Sequence, residues 1–273
     1  MMRLHIAWLA APALAFFLLV FALPLGVLLF GSLRGAEGWT LAGYADFLGE
    51  AYSWAVIGRT LKLATLTTLI CLLLGYPAAF AMARTRGIAQ SLLVAAMLLP
   101  LSLSVIVKAF GWTVLLRRNG VVNDLLVWSG IVEEPIRLIF TEAGLLIGIT
   151  NIFLPFMVLP IFSVVRQIDG RLTDAAATLG GGPFHVFTRV TVPLTMPGVA
   201  AGVTLVFSMA IAAYVIPTLL MGDRYQTLST TIATSFLYLQ APQRGSVAGV
   251  VLLAMSLVVV VGSAVLAKRL RRA

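Results

Sequence analysis

Residues 143–165 read AGLLIGITNIFLPFMVLPIFSVV, and residues 166–197 continue RQIDGRLTDAAATLGGGPFHVFTRVTVPLTMP. The first stretch holds no charged residue and is long enough to cross a hydrocarbon core, which takes about 20 apolar residues as a helix. The second brings Arg166, Asp169, Arg171 and Asp174 together with four glycines and three prolines, and so returns the chain to water. Apolar runs of similar length lie at about 6–30, 56–83, 91–116, 198–221 and 247–267. The fold class is therefore an all-α integral membrane protein with about six transmembrane helices, arranged as a single membrane domain over 1–273. The first run is too long for a signal-peptide core and is read as a retained helix.

Composition agrees. The chain is 60% hydrophobic and 11% charged, whereas a soluble domain carries about 25% charged residues to cover its surface. The net charge of +9 does not indicate nucleic acid, because Lys268, Arg269, Arg271 and Arg272 follow directly on an apolar run, as at a cytoplasmic helix end. Cys71 lies inside an apolar run, and His5 and His185 are isolated, so no metal cluster and no cofactor site is expected.

Six spans put both termini on one side. That side also holds Arg84, Arg86, Arg166, Arg171 and Arg189, and its net charge is +8 against zero on the other. The positive-inside rule makes the termini and the 166–197 loop cytoplasmic.

The loop is patterned. A short helix is expected over Leu172–Leu179, with Ala175–Ala177 as strong helix formers. Gly180–Gly182 would end it. Pro183 would open a second short helix reaching about Val190, and Pro193 and Pro197 would break the chain again before the fifth span. Such a helix pair either docks into a partner's groove or caps the membrane bundle; spacing alone leaves both open.

Asp174-Ala175-Ala176, Gly180, Val190, Val192 and Pro193 fall without a gap on a known pattern: Glu-Ala-Ala, three residues, Gly, nine residues, Ile, one residue, Leu-Pro. The loop thus resembles the cytoplasmic signature of binding-protein-dependent ABC importer permeases, with Asp for Glu and Val for Ile and Leu. The stretches Leu99–Asn123, Asn151–Pro160 and Tyr214–Gly222 further resemble spermidine/putrescine-type permeases, specifically the first of two non-identical permease subunits. Relatives with these features also resemble transporters of iron, thiamine, opines or aminophosphonates.

The resemblance implies a type I ABC importer permease fold in a bacterial inner membrane, surrounded by membrane lipid. It implies a second permease, two copies of an ATPase subunit and a periplasmic substrate-binding protein as partners. The 166–197 loop would couple to the ATPase, with Asp174, Ala175, Ala176, Gly180, Val190 and Pro193 as its site residues. A polyamine or similar small polar solute would be the cargo. No Gly-x-x-x-x-Gly-Lys-Ser/Thr phosphate loop occurs, so hydrolysis would belong to the partner and the chain is not expected to be an enzyme.

Lys108, Trp112, Asn151 and Tyr214 are candidates for the translocation path. Lys108 either snorkels to the periplasmic interface or lines the path. The aromatic rings either pack between helices or face a cation. Asn151 needs a partner, in the core or in a cavity. Gly75, Gly111, Gly148 and Gly202 permit close helix contacts, and Pro155, Pro160 and Pro217 free backbone carbonyls mid-span. The alternative function is a secondary transporter or channel working without ATP. It calls for intramembrane carboxylates, and the runs hold none apart from Glu142 at one boundary.

Overall fold

A computed structural model describes residues 12–35 and 38–270. The first residues of the first expected span, with Arg3 and His5, lie outside the described residues, as do Glu37, Arg271 and Arg272.

The described elements are α1 (Pro12–Leu33), a two-stranded antiparallel hairpin β1 (Arg34–Gly35) and β2 (Gly38–Trp39), α2 (Ala42–Gly49), α3 (Ala51–Arg84), α4 (Gly87–Leu98) and α5 (Val105–Leu115). They continue as α6 (Val121–Trp128), α7 (Glu142–Val165), α8 (Gly170–Thr178), α9 (Pro183–Ile211), α10 (Val215–Met221), α11 (Leu228–Leu237) and α12 (Pro242–Leu270). Five of these helices are long and apolar enough to cross a membrane, or six if the bent pair α4–α5 counts as one span.

The chain divides into two compact units, Met1–Ile57 with Leu228–Ala254 and Gly58–Thr227 with Met255–Ala273. In the first, Glu50 and Arg244 form a two-pronged ion pair and Tyr44 donates to Ser32 Oγ at 2.7 Å. In the second, α7 is the central helix. Leu145, Ile149, Ile152, Met157, Val158 and Ile161 are fully buried along it.

Helix α9 lies against α7 through Gly198 and Gly202, a small-xxx-small pair that lets two backbones approach. A Cβ at Gly198 would stand 2.9 Å from the Pro160 carbonyl oxygen, and one at Gly202 2.7 Å from Met157 Sδ. Gly75 of α3 meets Met157 in the same way, and Gly148 accommodates Leu220 and Trp112. Gly111 does not serve as a helix contact: a Cβ there would meet nothing within 4 Å, because its face of α5 is exposed.

Three spans depart from the sequence expectation, each near a proline. The third is broken. Helix α4 runs on as a 3-10 turn over Leu99–Ser102, and α5 leaves it at 101°. Pro100 cannot donate to the helix, and Ser104 caps the new one by accepting the Ile106 N–H.

The fifth span begins earlier than expected. The second loop helix does not stop near Val190 but continues as α9 through Pro193 and Pro197 to Ile211. A π-helical turn over Phe187–Thr191 contains Arg189. That residue's carbonyl is the one the Pro193 ring would strike in a regular α-helix, and a widened turn relieves the conflict. The first span uses the same arrangement, a π turn over Leu18–Ala22 just before Pro24.

The fifth span also ends in a break at residues 212–214, where the Pro217 ring would meet the Ala213 carbonyl. Pro155 and Pro160, in contrast, lie inside an unbroken α7.

Candidate functional site

The α7–α9 loop forms a helix–turn–helix knob. Asp169 caps α8, its carboxylate accepting the Arg171 N–H at 2.9 Å. This is the helix-end position; Asp174 lies within α8 and is exposed. Leu179 ends the helix, and Gly180 takes the left-handed conformation at φ +87°. The Gly181 N–H then donates to the Ala176 carbonyl and the Gly180 N–H to that of Ala177, at 3.1 and 3.0 Å. These two bonds are the Schellman stop, which needs a residue free to adopt positive φ. Pro183 sits at the first position of α9, where its missing N–H costs nothing.

Ala175 and Gly180 are exposed and Ala176 is partly covered. Val190, also partly covered, lies in the π turn, and Pro193 is exposed at the start of the regular helix beyond it. The largest exposed apolar groups on the knob are Leu179, 88% exposed, and Phe184, 80% exposed. Motif matching passes over both. Their signal in the sequence is a bulky apolar residue on either side of a triple glycine, in a segment otherwise rich in polar and small residues.

The root of the knob is held by an aromatic cluster. Phe187 meets Tyr76 and Phe80 of α3 edge-on, with ring centroids 6.3 and 6.2 Å apart. The Tyr76 hydroxyl lies 3.0 Å from Thr195 Oγ1 of α9. A displacement of the knob therefore bears on both α3 and α9. Tyr76, Phe80 and Phe187 were not among the sequence candidates, because nothing local links residues more than a hundred positions apart.

Of the path candidates, two come together. The Trp112 indole N–H donates to Asn151 Oδ1 at 3.2 Å, and both residues line a cavity of about 290 Å³ with Thr150, Ile70, Leu74 and Leu154. Pro155 has no N–H to give the Asn151 carbonyl the ordinary helix bond from four residues on. Lys108 lies one turn before Trp112 on α5. Its side chain makes no hydrogen bond or ion pair among the described residues, and it stands on the far limb of the broken span. Tyr214 stands at the α9–α10 break, where its backbone carbonyl accepts from the Thr218 N–H and hydroxyl; its side chain makes no hydrogen bond to the Trp112–Asn151 pair.

At the other end of α7, Glu142 pairs with Lys62 of α3. Burial raises the pKa of the nearby Tyr225 hydroxyl above the usual phenol value. The Glu142 carboxylate adds to this, and Arg59 opposes it.

The chain is 35% identical over 198 residues to the spermidine/putrescine transport system permease protein PotB of Haemophilus influenzae, covering 72% of this chain and 69% of that protein. The chain belongs to the ABC importer permeases. This permease is also 34% identical over 199 residues to PotB of Escherichia coli K12, covering 73% of this chain and 72% of that one. It is 32% identical over 187 residues to the molybdenum transport system permease protein ModB of Azotobacter vinelandii, covering 68% and 81%. No protein-family model matches it. Among solved structures, a bacterial ABC transporter that imports the acidic polysaccharide alginate has a chain of the same fold. It matches with a TM-score of 0.80 at 18% identity, over 98% of this chain and 96% of that one. The permease is thus a multi-pass inner-membrane protein, a non-catalytic transmembrane subunit of a binding-protein-dependent ABC importer.

Proposed function

We propose that this permease imports polyamines or a similar small polar solute, and that its α8–α9 knob couples it to the ATPase. In this reading both termini and the knob face the cytoplasm. The complex holds two ATPase copies, a second, non-identical permease and a periplasmic substrate-binding protein. The observation that carries the coupling role is a knob exposing Leu179 and Phe184 at its tip while its second helix, the start of α9, continues through the π turn to Ile211. Exposed bulky apolar groups on a rigid turn suit a groove in a partner, and a continuous helix transmits a push.

The likeness to PotB supports a polyamine. So does the Trp112–Asn151 cavity, because an aromatic ring is a favourable neighbour for an ammonium group. A solved alginate transporter in complex with a ligand-bound periplasmic protein has this fold, which supports a binding protein as partner here.

The test is co-purification of the ATPase subunit with wild type, Leu179→Asp and Phe184→Asp. Both side chains point away from the fold, so the variants keep the membrane bundle. Substitution at Gly180 is less informative, since positive φ makes any side chain there strain the turn itself. Loss of the ATPase from both variants is expected; retention at wild-type yield defeats the docking role. Uptake of labelled spermidine, putrescine and molybdate by reconstituted complex then decides the cargo.

A further inference from the structure

We propose that the recess lined by Arg118 and Arg137 beside Phe140 is a carboxylate-binding pocket that receives an acidic side chain of the periplasmic binding protein. The inference rests on the orientation and partner proposed above. The guanidinium carbons of Arg137 and Arg224 each lie 5.8 Å from the centroid of the Phe140 ring. Arg118 and Arg137 share with Pro135, Ile139 and Phe140 a recess of about 470 Å³. The two side-chain ion pairs among the described residues are Lys62–Glu142 and Arg244–Glu50. None of the three arginines has a carboxylate partner there, although Glu133, Glu134 and Asp223 are close in sequence. Arg118 and Arg137 thus bring two positive charges without a carboxylate partner to one recess, which favours a bound anion.

The recess is built rather than incidental. Asn123, fully buried, ties its two sides together. Its amide nitrogen donates to the Arg117 and Ile136 carbonyls and its oxygen accepts the Ile136 N–H, all at 3.0 Å. Arg118 and Arg137 each follow directly on a residue held this way. Phe140 is itself left-handed at φ +62°, and its N–H donates to the Leu220 carbonyl at 3.1 Å. That bond links the segment to α10, ahead of Arg224. A non-glycine residue in this conformation persists where its surroundings impose it.

Guanidinium groups match carboxylates through paired N–H donors. The site stands at the start of α7, and the knob stands at its end. Twenty-four residues at about 1.5 Å each separate them by about 36 Å, so the site faces outward when the knob faces the ATPase. A polyamine is repelled by Arg118 and Arg137, so the site does not hold that cargo. The recess is open to solvent and collects planar donors, which suits a side chain presented by a protein.

The experiment uses the assembled permease pair with its ATPase subunits, free of binding protein, in phosphatidylcholine nanodiscs, with fluorescent hexaglutamate peptide as probe and anisotropy as readout. Binding is expected to weaken about fivefold in the Arg118→Gln/Arg137→Gln double variant, in line with two exposed charge pairs. It should also fall as salt rises and screens the site. Arg117→Gln, an exposed neighbour outside the recess, should bind as wild type does. Equal binding by the double variant and wild type overturns the proposal. So does loss of peptide binding on adding phosphatidylglycerol, which assigns the site to lipid, or full displacement by millimolar inorganic phosphate, which assigns it to a free anion. The orientation is tested separately, by labelling Ser129→Cys in spheroplasts with a membrane-impermeant maleimide. Failure to label defeats the orientation without bearing on whether the pocket binds carboxylate.

Discussion

Replacing Gly198 by Ala tests whether α9 is seated on α7 backbone to backbone. The added Cβ would lie 2.9 Å from the Pro160 carbonyl oxygen and 3.0 Å from Ile161 Cα. A relaxed carbon–carbon contact is about 3.5–4.0 Å, so the two helices must separate by about 0.5 Å. No side-chain rotation can absorb this, because both neighbours are backbone atoms. Overpacking of this kind costs about 1–3 kcal/mol, and the better helix propensity of Ala returns about 0.5–1 kcal/mol. A net loss of about 1–2 kcal/mol is expected, or roughly 2–8 °C in the unfolding midpoint at about 2–4 °C per kcal/mol. The assay is the fraction of purified permease remaining monodisperse after heating in detergent, at one fixed heating rate because such unfolding is irreversible. Gly111→Ala is the control. It adds the same methyl group to an exposed face with nothing within 4 Å, and should match wild type or exceed it slightly. If Gly198→Ala melts with wild type, or Gly111→Ala falls as far, the close seat of α9 on α7 is wrong.

Phe187→Ala removes two edge-on ring contacts from the root of the knob, each worth about 0.5–1.5 kcal/mol. The ATPase should still bind, while solute moved per ATP hydrolysed in proteoliposomes falls; an unchanged ratio shows that the aromatic cluster does not transmit the stroke. Trp112→Phe removes the indole N–H and leaves Asn151 Oδ1 without its donor. Uptake should fall more in Asn151→Ala than in Trp112→Phe if the amide contacts the cargo, and neither should change if the cavity lies off the path. Lys62→Gln breaks an ion pair whose side chains are about half exposed. It should cost about 1 kcal/mol or less, and a larger drop in melting temperature would show that the pair is shielded from water.

The parts legible in the sequence are those encoded within a few neighbouring residues. An apolar run predicts a span because lipid leaves the backbone no partner but itself, and Glu142–Val165 lies within one residue of the expected 143–165. Gly180 and Pro183 mark a stop and a start because one tolerates positive φ and the other lacks an N–H. The breaks were half legible. Pro100 and Ser104 carry the signals for ending and capping a helix, yet an unbroken apolar run from 91 to 116 hides a 101° bend. Conversely, Pro193 looked like a break, and a π turn carried the helix through it.

Tertiary structure alone brought Trp112 to Asn151, Phe187 to Tyr76 and Phe80, and Arg137 and Arg224 to one phenyl ring. Each joins residues from different helices or loops, and their meeting depends on which glycines and prolines let helices approach or turn. Hydropathy and local spacing carry no term for such distances. The membrane, the number of spans and the punctuation of the loop follow from the chain as written. The pairings that make a cavity, a lever and a charged recess arise when α3, α5, α9 and α10 pack around α7.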